Sequence, residues 1–215
     1  MTDRKPGGQL HQLMPTDFNL ESLDIFKQAL QDAPAAAEEA ANIALNAGAQ
    51  VALERGREEV LKELNLEKAY VQKQMRIGKR STRRTLLAKI SAQRRSVLAP
   101  RFGAEQKLVP TRSKRVKGDP YRKIPPGQKA AGSTPWGPKR GGKRAAWGNA
   151  FFIWGKNSGA WIMVVRRSRD PKAKLDAVYG TSVDQAWRDI RFTVGEEAME
   201  TVAEVFAKEY RRLIQ

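Results

Sequence analysis

Between Lys73 and Arg144 the chain carries 22 lysines and arginines against two acids, Glu105 and Asp119, a formal charge of +20 over 72 residues. The rest of the sequence sums to −3, so the net charge of +17 is one concentrated zone. Such a block is built to meet something polyanionic or to line a surface that faces it. Nucleic acid is the first candidate and an acidic protein partner the second. With 215 residues the chain can bury one core with irregular extensions, but hardly two full domains. We therefore expect a mobile arm over residues 1–18 and one domain over 19–215, with an extended basic loop at about 107–146.

The elements around this zone are signalled by their own residues. Asn19 can cap a helix with Leu23, Ile25, Phe26 and Leu30 at helical spacing, stopping near Ala33. Asp32 and Pro34 repeat the start signal for a long Ala-rich helix to about Leu64. Its Ala37, Ala40, Ala41, Ala44, Ala47 and Ala52, with Val51, Leu61 and the embedded Gly48 and Gly56, let another backbone come close. Packing within the monomer ranks ahead of a subunit interface. A shorter amphipathic helix follows over Leu66 to Met75.

After Arg80 the period changes. Thr85 to Ala92 and Val97 to Phe102 read as adjacent strands or a hairpin across Arg94-Arg95-Ser96. From Pro110 to Ala146 six prolines, six glycines and 11 basic residues with one acid read as a long loop, flexible when alone. Asn149 to Trp154 and Ala160 to Arg166 flank a Gly-bounded turn and form the clearest predicted hairpin. Thr181 or Ser182 caps a short helix to about Arg191, and Thr193 to Ile214 forms an amphipathic helix with Val194, Ala198, Val202, Val205, Phe206, Tyr210 and Leu213 on one face. The order predicts an α+β fold, a small and mainly antiparallel β-sheet packed with N- and C-terminal helices and carrying a long basic Pro/Gly-rich loop insertion.

Little in the sequence speaks for catalysis. There is no cysteine and one histidine, His11, so disulfides, thiolate metal sites and multi-histidine sites are excluded. The N-terminus has no apolar signal region and no apolar run reaches bilayer length, so a soluble protein made in a reducing compartment is expected. No phosphate-loop, metalloprotease or nucleophile-elbow motif occurs. Gly137 to Lys143 superficially resembles a phosphate-binding loop but lacks the following Ser/Thr and the strand-to-helix context. Adjacent pairs such as Glu38-Glu39, Glu58-Glu59 and Glu196-Glu197 point to different sides of a helix and read as solvated faces. No catalytic, cofactor-binding or metal-binding residue is assigned, no cofactor is expected, and an enzyme is not expected.

The basic zone exceeds what solubility needs. Its candidate DNA- or partner-facing residues are Arg80, Arg83, Arg84, Arg94, Arg95, Arg112, Lys114, Arg115, Lys117, Lys139, Arg140, Lys143 and Arg144. They can pair with phosphates without reading base edges. Tyr121, Trp136 and Trp147 lie among them and are candidates to stack on exposed bases or to anchor a protein neighbour.

The layout resembles the minor tail protein Z family of long-tailed bacteriophages and prophages over about residues 20–214. The residues that carry the resemblance are Asn65-Leu66 with Val71, Ala88-Lys89-Ile90, Arg101-Phe102-Gly103-Ala104, Ala150-Phe151-Phe152, Val164 to Arg167 and Tyr179-Gly180-Thr181-Ser182-Val183. A departure is the insertion around Pro110 to Arg144, which is usually shorter in such proteins. The resemblance implies a structural tail-completion protein of the virion tail, made in the host cytoplasm and placed at the head-proximal end of the tail tube. It further implies a role in tail assembly and in positioning the genome end for ejection. Its implied partners are tail tube, tail terminator or tape-measure proteins, genomic DNA contacted without sequence preference, and copies of itself in a ring. The alternative from another class is a free, non-specific DNA- or RNA-binding factor. A DNA-cutting enzyme ranks last, because the zone offers only Glu105 and Asp119 to hold metal ions.

Overall fold

The computed structural model describes residues 27–112, 117–156, 159–166 and 173–215. The expected arm over 1–18 and the start of the first expected helix lie outside the described residues, and residues 27–32 are helical. Helix α1, Pro34–Glu63, begins where the sequence places it, with Pro at the first turn. The expected Asp32 cap is not made, because the N-cap position falls on Ala33.

The small residues of α1 pack against α3, Val183–Leu213. Ala37, Ala40, Ala41 and Ala44 are buried with Phe206, and Val202, Val205 and Tyr210 pack around them. A Cβ on Gly48 would lie 2.3 Å from a Val202 methyl and 3.1 Å from the Ala198 carbonyl oxygen, so only glycine admits this approach of the two backbones. The small-residue stripe thus serves packing within the chain.

Helix α3 is one unbroken helix, where two were expected. Ser182 caps it, its hydroxyl accepting from the Gln185 N–H at 3.1 Å. Nothing between Arg191 and Thr193 lacks an N–H, and Gly195 costs a helix interior only about 1 kcal/mol. Burial of Val194 and Ala198 against Ala52 outweighs that.

Among the described residues seven strands form three small antiparallel sheets, an α+β fold as expected but with its sheet divided into three. In the first, β1 (Met75–Lys79), which follows the short helix α2 (Lys68–Gln74), pairs with β2 (Lys89–Ala92). The expected pairing of residues 85–92 with 97–102 does not occur. Val97, Ala99 and Phe102 are buried in the core, and residues Ala99–Phe102 form a 3₁₀ turn closed by Gly103 at φ 82°. The second sheet, β3 (Gln106–Pro110) with β4 (Gln128–Ser133), falls inside the segment expected to be loop, as does a 3₁₀ turn at Pro120–Arg122. The third holds the expected hairpin, β5 (Ala150–Gly155) with β6 (Ala160–Arg166), plus a third strand β7, Leu175–Ala177. Gln106 joins the last two sheets, its side-chain amide donating to the Gly132 carbonyl and accepting from the Phe152 N–H.

The core knots together three segments that the sequence singled out separately. The Asn65 side chain donates to the Phe102 carbonyl at 3.0 Å, and the Asn65 N–H donates to that of Pro138 at 2.8 Å. The Gly180 N–H donates to the Val97 carbonyl, and a Cβ on Gly180 would lie 2.5 Å from the Phe102 ring. Phe102, 1% exposed, is the centre that Asn65-Leu66, Arg101 to Ala104 and Tyr179-Gly180 all pack around or hydrogen-bond.

Candidate functional site

The candidate basic surface divides into cations tied to the fold and cations left free. Arg83 lies on the turn after β1 and pairs with Glu39 of α1. That hydrogen bond holds the Glu39 carboxyl below its ordinary value of 4.5, and Ser81, buried nearby, donates its N–H to the Asn46 side chain at 3.0 Å. Arg94 follows β2 and lies 4.0 Å from Asp184 in the first turn of α3. Lys139 reaches Glu63 at 2.8 Å, and this partner raises its pKa.

Arg140 completes the tie at the end of α1. Its N–H donates to the Glu63 carbonyl at 2.8 Å and its guanidinium to the Leu64 carbonyl at 3.2 Å. These are carbonyls that a helix end leaves without intrahelical donors, at the negative end of its dipole. The segment from Gly137 to Lys143 therefore closes over a helix C-terminus. A phosphate-binding loop would open a helix N-terminus instead.

Arg80, Arg84, Arg95, Arg112, Lys117, Lys143 and Arg144 are exposed, and their side chains have no ion-pair or hydrogen-bond partner among the described residues. Lys114 and Arg115 lie outside the described residues. The structure brings Lys139, Arg140, Lys143 and Arg144 onto one loop, pinned where Trp136 and Ala145 pair backbone to backbone. Arg80 and Arg84 sit on the arm between β1 and β2, tied to α1 at Asn46 and Glu39, whereas Arg112 and Lys117 follow β3.

Further cations add to this surface. Arg76, Lys79, Lys89, Lys107 and Lys129 are exposed on the strands, and the β1–β2 register places Lys79 opposite Lys89. Like charges directly across a strand pair are destabilising, and an anion between them would relieve the repulsion. Their only sequence signal was the total charge of the zone, because the pairing that aligns them was not legible.

The aromatic residues split as well. Trp136, expected as a stacking or anchoring residue, is 7% exposed and stacks on Phe102 with centroids 6.3 Å apart. It belongs to the core. Trp147 packs against Trp136 at 6.2 Å and is partly exposed, while the side chain of Tyr121 lies outside the described residues. Among the described residues no group of three or more His, Cys, Asp or Glu is placed to hold a metal ion, and no helix is long and apolar enough to cross a membrane.

The knot at Phe102 and the cations around it can be set beside known proteins. No curated protein and no solved structure matches the chain. The family model for prophage minor tail protein Z (GPZ) matches residues 27–215, which takes in α1, α2 and α3, the three sheets and the segments that meet at Phe102. The chain therefore belongs to the prophage minor tail protein Z family and is a structural component of phage tails.

Proposed function

We propose that the protein completes the tail at the head-proximal end of the tail tube, helping tail assembly and the head–tail connection and positioning the genome end for ejection. In this reading residues 19–215 act as one domain that associates with copies of itself into a ring, against tail tube, tail terminator or tape-measure proteins. The observation that carries it is the set of seven exposed cations, from Arg80 to Arg144, without partners among the described residues of a tail protein. Cations that the fold does not neutralise attract phosphates without reading sequence, which positions a DNA end and still lets the duplex move past. Each such phosphate contact adds about −0.9 to the logarithmic salt slope, so the attraction fades steeply as ionic strength rises.

The test uses particles assembled without this chain. They are expected to carry tails that fail to deliver DNA, and delivery should return when the wild-type protein is supplied during assembly. A variant with Arg112, Lys117, Lys143 and Arg144 all changed to Glu should enter tails without restoring delivery. Full delivery with that variant would overturn the role given to the cations. The same free cations favour a second reading, a free non-specific nucleic-acid-binding factor. That reading requires the chain to be absent from purified particles and to bind DNA or RNA as an isolated monomer.

A further inference from the structure

The mid-section of α3 presents an outer face that stays exposed among the described residues, with the Arg191 guanidinium lying 4.8 Å from the centroid of the Phe192 ring. Val194 and Ala198 point inward to Ala52. On the opposite side Phe192 is 50% exposed and Met199 is 39% exposed, beside Glu196, Glu200 and Glu204. The three glutamates recur every four residues, so they form one row along the helix, and like charges at that spacing destabilise it. Among the described residues none of the three has an ion-pair partner. From Phe192 to Glu204 the patch is about 18 Å long. A large exposed apolar pair rimmed by unpaired charge marks a contact surface.

A patch of complementary character exists on the arm between β1 and β2. Arg80 and Arg84 are exposed there and have no partner among the described residues, beside Leu86 at 37% and Leu87 at 53% exposure. Each patch thus offers two large apolar side chains; three carboxylates line one, with Arg191 stacked on its Phe192, and two cations flank the other. Among the described residues no ion pair or hydrogen bond joins the two patches within one chain. The arm is tied at Asn46, about 160–200° around α1 from Ala44 and Gly48, which face α3. Glu196 and Glu200 lie about 160° around α3 from Val194 and Ala198, respectively, which face α1.

We infer that these two patches are the two halves of a heterologous contact, the acidic and apolar face of α3 in one subunit seated on the cationic and apolar arm of the next. Because the two patches differ, each copy keeps one of each free for a further neighbour, which is the pattern that closes into a ring. The inference rests on the proposed tail-ring role and divides the free cations by task. Arg80 and Arg84 serve the neighbour, and Arg95, Arg112, Lys117, Lys143 and Arg144 remain for DNA.

The test follows self-association of the full chain by sedimentation at increasing protein concentration and at two salt concentrations. Wild-type protein should associate, and less so at high salt. Reversal on α3 (E196K, E200K and E204K together) or on the arm (R80E and R84E together) should each weaken association by about tenfold or more, since juxtaposed like charges oppose docking. Carrying both reversals in one chain should restore it, an outcome that misfolding cannot mimic. The chain has no cysteine of its own, so E200C and R84C chains mixed in equal amounts should form a mixed disulfide dimer, while neither alone should do so. Unchanged association in both reversal variants, or no mixed disulfide, would overturn the interface. The tail role fails separately, if wild-type protein is absent from particles.

Discussion

Trp136 separates two roles for the aromatic residues of the basic zone, a base-stacking surface and a core anchor. Its ring is 7% exposed and stacks on Phe102. Burying a tryptophan side chain removes about 150–250 Å² from water, worth roughly 4–6 kcal/mol at ~25 cal/mol per Å². The indole N–H is buried with no hydrogen-bond partner among the described residues, which costs roughly 1–3 kcal/mol. The net contribution is about 3 kcal/mol, a large share of a typical stability of ~5–15 kcal/mol. Trp136→Ala is thus expected to lower the unfolding free energy by about 3 kcal/mol, shifting the urea midpoint by about 1.5 M at a slope near 2 kcal/mol per M. Trp136→Phe removes the unpaired N–H together with part of the ring, so its cost should stay within about 1 kcal/mol. Urea unfolding followed by circular dichroism measures both. Equal losses in the two variants would refute the accounting for the N–H, and a loss below about 1 kcal/mol in Trp136→Ala would refute the anchor.

Two glycines in helices should respond in opposite directions. A Cβ at Gly195 meets nothing within 4 Å, so Gly195→Ala should stabilise by roughly 1 kcal/mol and raise the melting temperature by about 2–4 °C. A Cβ at Gly56 would lie 2.4 Å from the Trp187 ring, so Gly56→Ala should lower stability by about 1–2 kcal/mol in spite of its better helix propensity. Ser182→Ala removes the cap of α3 and should cost about 1 kcal/mol in the same unfolding assay. Because pairing with Arg83 lowers the folded-state pKa of Glu39, the tie between arm and helix is fully present above 4.5 and is lost as pH falls through the lowered value. An NMR titration should place the Glu39 midpoint below 4.5 in the wild type and move it back toward 4.5 in Arg83→Ala, and an unmoved midpoint would count against the pairing.

The legible elements were those whose signals are local. Pro34 marks the start of α1, Ser182 caps α3, and the alternation on either side of the Gly155 to Gly159 turn pairs β5 with β6. The start of α3 and its inward face could be read from sequence, but its continuity could not. The expected break between Arg191 and Thr193 does not occur, and Gly195 just beyond it is tolerated because nothing crowds it and Val194 beside it is buried. β4 was illegible because Gln128 to Ser133 contains no β-branched residue except at its flank, and the strand exists only through its pairing with β3 and the Gln106 link. β2 was foreseen with the wrong partner, since its period-two pattern suits any apolar neighbour and the choice of β1 depends on burial of Val97 and Phe102 elsewhere. The candidate surface shows the same limit. The charge total marked the zone, but the partners of Arg83, Arg94 and Lys139 lie far along the chain at Glu39, Asp184 and Glu63, so local sequence could not separate tied cations from free ones.

The central claim concerns where the protein sits, and cryo-electron microscopy of purified particles tests it most directly. The expected result is a closed ring of this chain at the head-proximal end of the tail, with Lys117, Lys143 and Arg144 turned toward the DNA path. A position elsewhere in the tail, or a ring with these residues facing the outer solution away from DNA and neighbouring subunits, would contradict it.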